Sequence, residues 1–215
     1  DEYVGEYVSV EEAVEVAVGK AGPICLLDMG DNVGGGSAAD STLIAHEVHR
    51  RADTTAFVCL YDKESQDLAR EAGVGSTLNL LMGGKTDDRH GEPITSEVTV
   101  KSLHEGKFEE TEIRHGGYTH FDMGLTAVVT TETGLTISLT TRRVVPVSLG
   151  VVTSIGLDPV DFQILIAKGV HAPVAAYEPV CTELIRVNTG GATAADMRTF
   201  EYQYRRKPMY PFEEI

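Results

Sequence analysis

Positive charge is what this 215-residue chain has least of: 18 lysines and arginines stand against 33 aspartates and glutamates, a formal net charge of −15. So acidic a protein repels phosphate backbones and anionic lipid, which argues against non-specific binding to nucleic acid or to a membrane surface. The one basic cluster, YRRKPMYPF at 204–212, reads as a tail packed on its own aromatics in preference to a nucleic-acid patch. Long apolar runs are missing too. No window approaches the ~18 uninterrupted apolar residues of a membrane-crossing helix, and no basic segment leading into an apolar one marks a secretory leader. Cysteine is sparse: Cys25, Cys59 and Cys181, an odd number without a C-x-x-C pair, each in or beside an apolar run. Reduced, buried thiols in a cytoplasmic protein fit that pattern. A catalytic cysteine would want a histidine in a partnering motif, and none is evident.

What is present suits a globular domain. The apolar share is 42% and the mean hydropathy is −0.08, and the length allows one sizeable core or two small ones. The chain opens on Asp1, as a fragment or trimmed product would. Ser9 and Glu12 form a capping-box pattern ahead of apolar residues 10, 13, 14, 17 and 18, which predicts a helix closed by Gly19 or Gly22. PICLLDM (23–29) reads as a buried strand, and DSTLIAHEVHRRA (40–52) as a helix capped by Asp40 or Ser41. TTAFVCLY (54–61) is a second strand, and DKESQDLAREAG (62–73) a helix capped by Asp62. This α-β-α-β-α order favours parallel strands. From Ser76 to about residue 145 the pattern turns to period two with turn residues between runs. STLNLLMGGK, ITSEVTVKSLHEG and FEETEIRHGG read as strands, and LTAVVTTETGLTISLTTRR (125–143) as a hairpin folding at Glu132–Gly134. A strand at 162–168, a helix near 172–180 and a strand at 182–187 follow. The expected fold is a single α/β domain over 1–215, with a mixed sheet flanked by helices and an antiparallel β-rich middle section.

The glycine triplet in DMGDNVGGGSAADST (28–42) raises the question of what its backbone approaches. GGGSAA satisfies G-x-G-x-x-A, and Asp62 ends the next strand where a ribose-binding acid belongs. Two features oppose a dinucleotide. Four residues, Gly30 to Val33, separate strand from triplet, and Asp31 and Asp40 flank the loop. Each like-charge contact with a diphosphate at ~4 Å would cost on the order of 4 kcal/mol at an effective dielectric of ~20. MGGKTDD (82–88) lacks the first P-loop glycine, Asn79 standing there. His46, Glu47 and His49 give H-E-x-H, one residue short of the zincin spacing; a solvated helix face is preferred to a chelate. His120 and Asp122 would share one side of a strand, as metal ligands or acid and base, or as a hydrogen-bonded loop pair. Lys168, at a strand end before Gly169, could hold an anion, with Arg142 and Arg143 as second cations, or serve in salt bridges.

Taken in order, DMGDNVGGGSAADST, EAGVGSTLNLLMGGKTDDRHGEPI, TTRRVVPVS and ILIAKGVHAPVAAYEPV resemble the C-terminal domain of the MlrC family, metallopeptidase-like proteins named after a microcystin-degradation enzyme. The likeness runs from about Val10 to Pro211. It implies a full-length zinc-dependent peptidase or amidohydrolase whose metal, bound by acidic and histidine residues of an N-terminal domain absent here, polarises a carbonyl and activates water. This chain, holding no metal of its own, would be the non-catalytic half that closes the cleft over that domain and a small peptide or amide substrate. By position, Asn32, Gly34, Gly35, Gly36, Asp40, Lys85, Arg143 and Lys168 would line the inter-domain face. His171 stands slightly before the family's more usual histidine, so its role, like those of His120 and Asp122, stays open. Two other readings remain: a stand-alone ligand-binding domain holding an anionic small molecule at the glycine loop and Lys168, and a structural or assembly domain, including a homo-oligomer.

Overall fold

A computed structural model describes residues 7–51 and 54–213. The capping box at Ser9 forms: its hydroxyl accepts from the Glu12 amide, and Glu12 returns a carboxylate oxygen to the Ser9 N–H. A cap of this kind stabilises a helix by about 1 kcal/mol. It starts α1 (Val10–Val18), whose Ala13, Val14 and Ala17 are buried. The chain continues through β1 (Ile24–Asp28), α2 (Leu43–His49), β2 (Ala56–Tyr61), α3 (Lys63–Ala72), β3 (Thr77–Met82) and β4 (Ile94–His104). A two-stranded excursion follows, β5 (Lys107–Glu109) and β6 (His120–Asp122). Then come β7 (Thr126–Thr131), β8 (Leu135–Thr140), α4 (Gly150–Thr153), β9 (Ile164–Ala167), α5 (Val174–Tyr177) and β10 (Glu183–Val187).

Eight strands form one mixed sheet in the order β10-β1-β9-β2-β8-β7-β4-β3. The first five run parallel, and β7, β4 and β3 add to β8 in antiparallel sense. Parallel strands covered on both faces read as near-continuous apolar runs, and β1, ICLLD, is buried at every position. On one face α1, α2 and α3 set Val14, Ile44, Val48 and Ala69 against Leu26, Val58, Leu60 and Ile137. On the other, α4 and α5 set Val152 and Tyr177 against Cys25, Leu27, Phe57 and Leu165, with Phe108 of β5 at the margin. Since the five strands run one way, the segments after β1, β2, β8, β9 and β10 emerge together. In open α/β sheets that edge is where ligands sit.

Three expectations need correction. The helix read at 40–52 spans Leu43–His49, with Thr42 at its N-cap and no side-chain cap bond; Asp40 is drawn elsewhere, as shown below, and Ala52 lies outside the described residues. FEETEIRHGG yields strand only at Lys107–Glu109. Gly116 and Gly117, at φ 81° and 66°, turn the chain back, and the Glu110 amide closes the loop on the Thr119 carbonyl at 2.8 Å. The helix read at 172–180 shrinks to Val174–Tyr177, bounded by Pro173 at its N-cap and by Pro179. The cap at Asp62 forms as foreseen, with Gly73 closing the helix, as does the hairpin at Gly134 (φ 90°).

Candidate functional site

The loop after β1 is organised by charge turned inward. Asp31 accepts from the amides of Ala39 (2.7 Å) and Ser41 (2.8 Å), folding the glycine segment back across the strand ends. Asp28 accepts from the Asp31 amide (3.2 Å) and from the Thr189 hydroxyl. Between the two carboxylates lies the Lys168 ammonium, 2.9 Å from Asp28 and 3.4 Å from Asp31, and it also donates to the Ser41 carbonyl. All three side chains are buried. Burial pushes the Asp31 carboxyl up, but the Lys168 charge and the amides of Ser41 and Ala39 outweigh it and hold it below the usual aspartate range. Burial likewise depresses Lys168, and the two carboxylates outweigh that and raise it. The three N–H donors of this lysine are spent inside the protein.

Asp40 does not cap α2. Its Oδ2 accepts from the amides of Lys85 (3.0 Å) and Thr86 (2.9 Å), tying the loop after β3 to the loop after β1. Lys85 turns its ammonium to Asp62 (3.1 Å), Glu64 (3.0 Å) and the Ser65 hydroxyl (3.0 Å) at the start of α3. The close backbone approach is made by Gly30. A Cβ built there would stand 2.6 Å from the Thr189 carbonyl oxygen, and one built on Gly191 2.8 Å from the Gly30 carbonyl carbon. The nearest neighbour of this loop is therefore the glycine pair that follows β10. The triplet itself is exposed; Gly35 and Gly36 donate their amides to Asn32 and Val33 within a short 3-10 turn.

A groove of about 600 Å³ opens beside that turn. Asn32, Gly34 and Gly35 form one part of its lining, Arg143, Val144, Val145 and Val147 another, and His115, Tyr118, His120, Phe121 and Asp122 of the β5–β6 excursion a third; His171 closes it. Of the eight residues picked from sequence, Asn32, Gly34, Gly35 and Arg143 thus meet in the groove, Gly36 lies next to them, and Asp40, Lys85 and Lys168 are engaged elsewhere. His120 and Asp122 face it without bonding each other. His120 is held by Glu109 (3.3 Å) and Thr119 (2.9 Å), and Asp122 by Arg142 and the Gly124 amide (2.8 Å). His46 and His49 diverge, to the Glu92 carbonyl and the Thr133 hydroxyl, both at 2.7 Å, and each stays half-buried, so the two form no chelate. Among the described residues no three His, Cys, Asp or Glu side chains gather to hold a metal ion. A zinc site does not fit the described residues.

One cluster escaped the sequence reading. His90 is buried, with Nδ1 2.7 Å from Asp87 and Nε2 2.8 Å from the Ser37 hydroxyl. The contacts have the order of a nucleophile triad. But Ser37 is buried, and Nε2 also accepts from the Ala192 amide at 3.2 Å. The imidazole is a satisfied internal connector of three loops. The three cysteines are free thiols, Cys25 buried and the others half-buried.

Residues 26–204 match the family described as MlrC C-terminus. The chain belongs to that family. A curated relative, Microcystinase C of a Sphingomonas species, is 22% identical over 207 residues, covering 94% of this chain and 39% of its own length. A crystal structure of a candidate metallopeptidase from Mesorhizobium sp. BNC1 superimposes with a TM-score of 0.89 at 26% identity, covering all of this chain and 43% of that one. The chain thus spans about two fifths of the relatives it matches. As a MlrC C-terminus domain it has its groove on the edge where the parallel strands end. His115, Tyr118 and Phe121 had no periodic signal to mark them as groove lining, because their excursion meets the loops after β1 and β8 only in the folded chain.

Proposed function

We propose that this chain is the C-terminal, non-catalytic half of a zinc-dependent peptidase or amidohydrolase, whose groove faces a metal-binding N-terminal region and closes over a small peptide or amide. The match carries the reading: a whole chain laid at TM-score 0.89 on 43% of a candidate metallopeptidase. One feature supports it: the groove collects the family segments around Asn32–Gly35 and Arg143 at one sheet edge. The chain's contribution is then geometric: one wall, a fixed guanidinium and imidazoles, set on strand ends that the core holds rigid. The free thiols agree with a reducing, cytoplasmic setting. Among the described residues no helix is long and apolar enough to cross a membrane.

The alternative, an anionic ligand held at Lys168, loses its cation to Asp28 and Asp31. Zinc content by mass spectrometry tests the proposal. The protein in its natural length should carry stoichiometric zinc and residues 1–215 alone essentially none. Stoichiometric zinc on the isolated chain, lost on His120→Ala or His46→Ala, would overturn it.

A further inference from the structure

Cations around the groove are mostly neutralised by carboxylates of the chain. Arg142 pairs with Asp122, Arg114 with Glu110 and Glu112, and Lys168 with Asp28 and Asp31. Arg143 is different. It is exposed and forms no ion pair among the described residues, in a chain with 15 more acids than bases by formal charge. Nor is it loose. Its guanidinium lies over the Tyr61 ring, 4.3 Å from the centroid, and its Nε donates to the Ala38 carbonyl at 2.8 Å. Tyr61 ends β2 and Ala38 belongs to the glycine segment, so a strand end and a loop hold the group in place. With Nε spent, both terminal nitrogens make no hydrogen bond among the described residues. A planar fork presented this way matches the two oxygens of a carboxylate, and a side chain already fixed loses little entropy on binding. Next to it Val144, Val145 and Val147 form an apolar wall, with Phe121 also in the lining.

We infer that the groove binds a ligand carboxylate on Arg143 and an adjoining apolar group along Val145 and Phe121: a short peptide that carries a free carboxylate next to a hydrophobic residue. The peptide part rests on the proposed function; the carboxylate part does not. Tyr61 and Ala38 act as positioning groups, touching the ligand only through the guanidinium.

Calorimetric titration of the natural-length protein, with its metal chelated to prevent turnover, tests this with three probes: N-acetyl-Val-Phe, its C-terminal amide, and N-acetyl-Glu-Phe amide. The free acid should bind about tenfold or more tighter than its amide, the scale of a hydrogen-bonded charge contact. Arg143→Gln should bring the acid down to the amide, and Arg143→Lys should keep part of the difference. Tight binding of the Glu amide would mean that an acidic side chain also serves; weak binding would restrict the site to a terminal carboxylate. Equal affinity for acid and amide, no binding of either, or an acid preference that survives Arg143→Gln would overturn the inference. If Arg143→Gln does not fold, the acid–amide ratio of the wild type against Arg143→Lys decides. Carboxylate binding that depends on Arg143, with no peptide hydrolysis after zinc is restored, would sink the peptidase reading alone. Hydrolysis of acid and amide with equal kcat/KM would sink this inference alone.

Discussion

Lys168 shows how a residue picked out correctly can be turned the wrong way. A lysine at a strand end before glycine is visible in the sequence, and so are Asp28 and Asp31. That the three meet with both acids on the ammonium depends on β9 lying beside β1, about 140 residues apart in the chain. Removing the lysine strands two buried carboxylates, which typically costs ~3–5 kcal/mol. Lys168→Met should show that loss in urea denaturation at neutral pH; a change within the ~0.5 kcal/mol of surface substitutions would contradict it. The pH dependence follows from the shifts. Asp31 is lowered when folded, so its stabilisation is present above the ordinary aspartate range of ~3.9 and fades as pH falls through the lowered value. Lys168 is raised, so its stabilisation is present below ~10.4 and fades as pH rises through the raised value. Melting temperature against pH should therefore drop at both ends, and Lys168→Met should blunt both drops.

At the scale of the element, the glycine loop separates two uses of glycine that look alike in sequence. Gly30 has no room: backbone of Thr189 and Gly190 occupies the place of a Cβ. Gly36 has open space and needs glycine only for its left-handed φ of 92°. Gly30→Ala should cost about 3 kcal/mol or more, since backbone cannot yield as a side chain does, whereas Gly36→Ala should cost ~1–2 kcal/mol. Thermal melts of the pair check the order, and equal losses would refute the distinction. Ala39 (φ 64°) is the one described non-glycine residue in that region of backbone space. It is held there by the Asp31 carboxylate on its amide and by the Tyr61 amide on its carbonyl. Its neighbour Ala38 is the acceptor for Arg143, so the strain sits beside the carbonyl that holds that side chain. The sequence showed the loop and both flanking acids. It misassigned Asp40 because a cap and a loop tie use the same carboxylate, and only the position of Lys85 and Thr86 tells them apart.

For the whole molecule, the eight-stranded sheet and the groove are separable. Residues 111–118 hang outside the sheet, tied back by the Glu110–Thr119 bond and by Arg114 to the Ala175 carbonyl. Replacing them with a two-residue Asn-Gly turn should leave the melting temperature within a few degrees (~1 kcal/mol). It should remove His115 and Tyr118 from the groove and so weaken binding of the peptide acid. Collapse of the fold in circular dichroism would show instead that the excursion supports the core.

The sequence alone settled what depends on neighbours a few residues apart. The capping box at Ser9, the cap at Asp62, the hairpin at Gly134 and the change from helix spacing to period two near Ser76 are all local, and together they imply a mixed α/β sheet. The tertiary structure decided what depends on strand order. Inserting β9 between β1 and β2 buries Lys168 between two acids. Bringing β8 beside β2 sets Arg143 over Tyr61. A guanidinium left without a partner and a lysine fully paired have the same appearance in a sequence; only the contacts made across the sheet distinguish them.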